Sequence, residues 1–435
     1  MKNNYYKINF GFNIITILLK DFLKKISLIY NFFDYIKFFL KKKNKIIDIG
    51  LAFNNEHKRE LIHRTGIILI HNVSLKKQYN IIKKNFFINN NSDIFRIKVN
   101  KDKYWFSNLS IENLFKETVF IKNEDSISDL RRGDKFNDIN NIAKVILSPV
   151  GKNKTKITTL FRHDLIDGLH ICFTGFKLVY ESGTPIYKRL IKKKNRIQKI
   201  KENIYEKYLL INGLYSIPDF FLKRDNSNNQ NYYLGFLMDI NKLKEKCKIY
   251  NCSLNTYINC VFVIAFFNAN KEKKKCTLAI NMLNEIKKFG NNVSIGIINI
   301  DKSDFINIIE QFDQKRKGEF FKKSYVYSKF YTQNYSYFSE GVRNLVDNNH
   351  NNWDFLGSNC PGQTNNTYPV VLDSNVIRER DVWSPNIWYG IGHENIYNID
   401  LYWNIPIEFN KKNFEETLKY YFKPEKISYK VPIGY

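Results

Sequence analysis

The chain has 435 residues, 43% hydrophobic and 16% aromatic, which excludes a disordered chain and allows two domains or one large fold built of two halves. Its formal charge of +27, from 69 Lys and Arg against 42 Asp and Glu, does not single out a nucleic-acid face. Lysine runs through loops and apparent strands alike, beside Asn, Ile, Tyr and Phe, and there is no aromatic-plus-Arg motif of an RNA-binding sheet. The excess reads as a solvated basic surface, with an anionic membrane as the next partner to consider.

Residues 1–45 form a basic, amphipathic N-terminal segment. Within 10–43, Ile15, Leu18, Leu19, Phe22, Ile26, Ile29, Phe33, Ile36 and Leu40 make a helical stripe. Lys and Asp interrupt it too often for a transmembrane span. Lys20, Lys24, Lys25, Lys37 and Lys41 to Lys43 suit a helix lying on a membrane, and a helix packed on the globular body fits equally well.

From residue 46 the pattern is mixed α/β. GIILIH predicts a strand, Ser74 a cap, and Leu75, Tyr79, Ile81 and Ile82 a helix; FRIKV and KYWF predict short strands. KITTLFRH alternates so that Ile157, Thr159, Phe161 and His163 share one face. Behind Gly168, Leu169, Cys172, Phe173 and Phe176 fall at helical spacing. A basic connecting helix is expected over 188–203 and a loop over 224–231, dividing an N-terminal lobe, 46–223, from a C-terminal lobe, 224–435.

In the second lobe Ser253 is the N-cap of a helix with a buried stripe at Leu254, Tyr257, Ile258, Val261, Phe262, Ala265 and Phe266. Strands are expected at TLAINML, NVSIGIINI, YPVVLD and IYNIDLYWNI, and a loop-rich connection over 345–367. The six cysteines, Cys172, Cys247, Cys252, Cys260, Cys276 and Cys360, have no C-x-x-C pairing and mostly apolar or helical surroundings. They read as reduced, buried thiols of an intracellular-type protein, without a metal site.

The stretch FRHDLIDGLH concentrates chemistry. A histidine at a strand end can accept a proton at neutral pH, since its unperturbed pKa is about 6.5. Asp167 can brace the turn through backbone N–H groups or an Arg, and Gly168 lets a ligand approach the backbone. The set offers a general base but neither a nucleophile nor a metal cluster, which suits attack by the substrate's own hydroxyl or amine. His71, His170 and His393 read as packed or capping residues, and His57, His63 and His350 as solvated.

RHDLIDG resembles the HHxxxDG signature of the CoA-dependent acyltransferase superfamily. Three further stretches resemble, in order, the wax ester synthase/diacylglycerol acyltransferase branch: CSLNTYINCVFVIAFF, GNNVSIGIINI and FLGSNCPGQ. The likeness spans about residues 65 to 420. Arg162 stands for the first His, Thr256 for an Asp and Cys360 for a Val, and the branch's upstream LDxxxPLW pattern is missing.

The resemblance implies two chloramphenicol-acetyltransferase-like lobes, each a largely antiparallel sheet with flanking helices, and a tunnel between them. It implies His163 as general base, Asp167 and Gly168 as structural, and Asn255 as oxyanion donor, with the helix start at Ser253 as the alternative. Asn291, Ser358, Asn359, Pro361 and Gly362 would shape the tunnel, although Asn291 and the 359–362 stretch also read as turns. No permanent cofactor is expected. Acyl-CoA is the expected co-substrate, a lipid alcohol or diacylglycerol the acceptor, and a membrane or lipid droplet the place of work, at the cytoplasmic face or, alternatively, in the soluble cytoplasm. The rival reading is an acyltransferase-fold binding or scaffold protein that has lost its activity.

Overall fold

The computed structural model describes residues 15, 18–19, 64–71, 73–88, 93–100, 103–122, 143–149, 152–162, 178, 196–212, 229–283, 293–333, 354–359, 371–373, 386–391, 396–406 and 409–428. Within them the order is β1 (Arg64–His71), α1 (Leu75–Phe87), β2 (Ile97–Asn100), β3 (Lys103–Phe106), α2 (Ile111–Thr118), β4 (Val119–Ile121), β5 (Ala143–Pro149), β6 (Thr155–Arg162) and α3 (Arg196–Asn212). The second half adds β7 (Asn229–Asp239), α4 (Ile240–Ile249), α5 (Leu254–Ala269), β8 (Lys275–Leu283), β9 (Val293–Asp301), α6 (Phe305–Lys317) and α7 (Glu319–Gln333). It continues through β10 (Phe355–Asn359), β11 (Val371–Asp373), β12 (Asn386–Ile391), β13 (Ile396–Pro406), α8 (Lys411–Phe422) and β14 (Lys426–Ser428).

The fold is mixed α/β with two main sheets. The first has strand order β11-β1-β6-β5-β4 and the second β14-β7-β13-β12-β10-β8-β9. Antiparallel pairs predominate, with parallel pairing at β4–β5, β8–β10 and β10–β12. In the first half, α1 presses Ile81, Ile82 and Phe86 inward, and Phe86 stacks on Phe95 and meets Phe115 edge-on. Thr155 to Thr159 of β6 are buried on both faces, so the central strand of this sheet is covered above and below.

The second core forms around α5, which is buried nearly all round. Its apolar residues extend well beyond the predicted stripe, as expected for a helix enclosed by a sheet and by other helices. Among the described residues no single helix is long and apolar enough to cross a membrane; α4 and α5 together approach the composition but meet at 83°.

Several expectations change. β7 begins at Asn229, inside the stretch read as a loop, and the connecting helix, described over 196–212, continues past the expected end at 203, with 188–195 outside the described residues. Phe355–Asn359, assigned to a loop-rich connection, is an interior strand between β8 and β12, with Phe355 and Gly357 buried. YPVVLD contributes β11, and that strand joins the first sheet, pairing Ile67 with Leu372. Cys247, Cys260 and Cys276 are buried free thiols as expected, whereas Cys252 is only half-buried. Of the 10–43 helix, Ile15, Leu18 and Leu19 are helical and the rest lies outside the described residues, as do Cys172 and Cys360.

Candidate active site

β6 is the middle strand of the first sheet, paired with β1 along its full length and with β5 from Thr155 to Phe161. Thr155 Oγ1 donates to the Val73 carbonyl at 2.8 Å, pinning the start of β6 to the lead-in of α1. At the other end Phe161 lies opposite Thr65 and Ala143, and Arg162 opposite Arg64. The chain therefore enters the HxxxDG stretch from the best-supported strand of the sheet. His163, Asp167 and Gly168 follow directly and lie outside the described residues, as do Asn291, Pro361 and Gly362.

The second group is built on the start of α5. Helix α4 ends as Asn251 takes a left-handed backbone, φ 48°, which its short polar side chain tolerates, and the Cys252 N–H donates to the Cys247 carbonyl. The reversed chain places Ser253 as the predicted N-cap, its Oγ accepting from the Thr256 N–H at 3.1 Å. Thr256 is fully buried, and its hydroxyl donates to Asp313 Oδ1 of α6 at 3.1 Å. With that single proton committed to a carboxylate, the 2.9 Å contact between the two hydroxyls has Ser253 as donor. The residue that departs from the family pattern thus clamps two helices together.

Asn255 is half-buried one position into this turn. Asn259, one turn further and fully buried, donates from Nδ2 to the Asn255 carbonyl at 2.8 Å and to Asn255 Oδ1 at 3.2 Å. That bond holds Asn255 Oδ1 as an acceptor, which makes Nδ2 the donor end of the amide, the polarity an oxyanion would need. Asn259 Oδ1 in turn abuts Gly357 of β10 so closely that a Cβ there would overlap it. β10 continues into Ser358 and Asn359. The structure therefore links Asn255, through Asn259, to Gly357, the residue that precedes Ser358 and Asn359 in β10.

Asn259, Asp313 and Gly357 were not singled out from sequence. The one available signal was an amide four residues after Asn255 in an otherwise apolar run. β10 is itself anchored by Asp354, whose carboxylate accepts from the Thr277 N–H at 2.8 Å and whose N–H donates to the Thr277 carbonyl at 2.7 Å.

Two of the thiols near this turn, Cys252 and Cys260, are poor nucleophiles. Burial pushes the Cys260 thiol well above its usual pKa; the Cys252 thiol, donating to the Cys247 sulfur and partly buried, is raised, and the same hydrogen bond lowers Cys247. Tyr257 is raised mainly by burial and donates to the Tyr421 carbonyl at 3.0 Å, acting as a core strut. Among the described residues no His, Cys, Asp and Glu group is placed to hold a metal ion.

No protein-family model matches the chain, and no curated protein does. Solved structures do. The condensation domain of the Monacolin K polyketide synthase MokA is 8% identical, with a TM-score of 0.57 over 87% of this chain and 96% of that one. The starter condensation domain of rhizomide synthetase RzmA, a mutant in complex with C8-CoA, is 8% identical, with a TM-score of 0.57 over 92% of this chain and 98% of that one. TRI3 trichothecene 15-O-acetyltransferase from Fusarium sporotrichioides is 9% identical, with a TM-score of 0.57 over 87% of this chain and 94% of that one. At such identities the likeness is one of fold: the chain shares the two-lobed α/β architecture of these condensation domains and of this acetyltransferase.

Proposed function

We propose that this protein is an acyl-CoA-dependent acyltransferase. The observation that carries the reading is the coincidence of an HxxxDG stretch, delivered by the central strand of the first sheet, with a fold shared by an acetyltransferase and by a domain bound to C8-CoA. In this reading His163 takes the proton of an acceptor hydroxyl, and the oxygen attacks the thioester carbonyl. The tetrahedral oxyanion is met by Asn255 Nδ2 or by the first N–H groups of α5. The C–S bond then breaks, and the departing CoA sulfur receives the proton held by His163. Asp167 braces the motif and Gly168 gives the substrate clearance.

The finer assignment is a fatty acyl donor with a long-chain alcohol or diacylglycerol as acceptor, giving a wax ester or triacylglycerol beside a membrane or lipid droplet. The three downstream stretches that resemble the wax ester synthase branch support it, and the anchoring of Asn255 by Asn259 is compatible with its role. A second reading, an amine acceptor and amide product, is favoured by the condensation domains among the similar structures. Loss of activity with retention of the fold is the third, favoured by Thr256.

One assay separates them: release of free CoA thiol from long-chain acyl-CoA in the presence of a fatty alcohol, a diacylglycerol or an amine. Ester formation is expected, reduced about 100- to 10,000-fold in His163→Ala with an unchanged thermal transition. Full activity in that variant would remove His163 from the mechanism. Release with none of the acceptors would favour the inactive, binding reading.

A further inference from the structure

Helix α3 carries an outward apolar stripe that the acyl-transfer reading does not use. Ile197, Ile200, Ile204, Tyr208 and Ile211 recur at intervals of three and four residues, so they line one face over about 21 Å of helix. All five are exposed, from 51% at Ile200 to 65% at Ile197, and Tyr205 beside them is also exposed. An ordinary surface helix turns such a stripe inward. Here the inward face holds Leu209 and Leu210, which are buried, and Glu206, which accepts two 2.8 Å hydrogen bonds from Lys329 of α7. The Tyr327 hydroxyl of α7 also donates to the Leu210 carbonyl. The helix is anchored on α7 by one side and offers isoleucines on the other.

The charges around the stripe indicate what covers it. Lys201 and Lys207 lie on its two flanks, each about 60° from its centre at 100° per residue. Glu206 is turned to the protein side. The sequence leading into the helix, KRLIKKKN over 188–195, has five cations and no acid. A convex apolar ridge flanked by lysines, with tyrosines at its border, matches a helix lying in a bilayer interface, its lysine heads reaching anionic headgroups. We propose that α3 is the membrane-docking element of this protein and that its partner is an anionic lipid surface. The proposal rests on α3 alone and stands whether or not acyl transfer does.

The test uses the full chain with phosphatidylcholine vesicles and with vesicles of phosphatidylcholine and phosphatidylglycerol in equal parts, read by flotation at low and high salt. The protein is expected to float with the anionic vesicles. Ile200→Glu with Ile204→Glu should lower that partitioning tenfold or more, about the effect of removing the helix's central apolar contacts. Lys201→Gln with Lys207→Gln should weaken it by up to about thirtyfold on the anionic vesicles alone, at about fivefold per lysine. Ile200, Ile204 and Lys201 are exposed and Lys207 is half-buried, so the thermal transition should barely move, and thiol release with a water-soluble alcohol should be unchanged. That second readout keeps failure of lipid docking distinct from failure of catalysis. Absence of flotation, or undiminished flotation of the isoleucine variant, overturns the proposal. So does a wild-type dimer in sedimentation that the isoleucine variant converts to monomer, since the ridge would then be a protein interface.

Discussion

Thr256 shows how a departure from a family pattern can be absorbed by its surroundings. Its hydroxyl links the N-cap Ser253 to Asp313 across two helices, a role in which a carboxylate would face another carboxylate. Thr256→Asp should therefore destabilise the fold by about 2 kcal/mol at neutral pH, because like charges at hydrogen-bond distance disfavour ionisation. The pair's proton affinity is raised in the folded state, so the variant is most stable at low pH and loses stability as pH rises through the raised value. Thermal melts across pH check this, and adding Asp313→Asn should restore most of the loss. Asp301 has the opposite sign. Its hydrogen bond to Lys315, and then the Lys315 and Lys275 charges, hold its carboxyl below the usual range. Its stabilisation is present above the unfolded value and is lost as pH falls through the folded one. With the carboxylate more than half exposed, Asp301→Asn should cost only about 0.5 kcal/mol, in urea titrations at neutral pH, and nothing in acid.

At the scale of elements, β9 and α7 approach so closely that a Cβ on Gly296 would overlap the Phe321 ring. Gly296→Ala should lower stability by about 1 to 3 kcal/mol, and Phe321→Leu should recover part of it in the double variant, as denaturant midpoints would report. Elements with strong periodicity were readable in advance. α1, α5, β8, β9 and β13 appear close to where alternation, helical stripes and caps put them. β10 was misread for a physical reason: Gly357, Ser358 and Asn359 look like turn residues, yet the strand is flanked on both sides and Gly357 is small because Asn259 fills its place. Ser253 could be flagged by its position at a helix start, and Asn255 by the resemblance alone. Asn259 could not, because its importance comes from β10, nearly a hundred residues away in sequence. In α3 the basic character is legible from the residues, but which face is left outside is not, since that depends on where α7 packs.

For the molecule as a whole, β11 comes from the second half but forms the edge of the first sheet, so the halves are joined by hydrogen bonds as well as by the chain. Residues 46–223 alone would leave β1 with an unpaired edge. That fragment should aggregate on expression, in contrast to the full chain; a soluble monomer with protected β1 amides in hydrogen exchange would show that β11 is dispensable. The same pairing sets a clock on synthesis. Gly66 waits for Asp373, and at the usual pace of translation the ribosome needs about 15 to 60 seconds to make the intervening chain. Throughout that interval the first lobe has an open strand edge, and its yield should depend on translation speed and on chaperones that shield nascent β-structure.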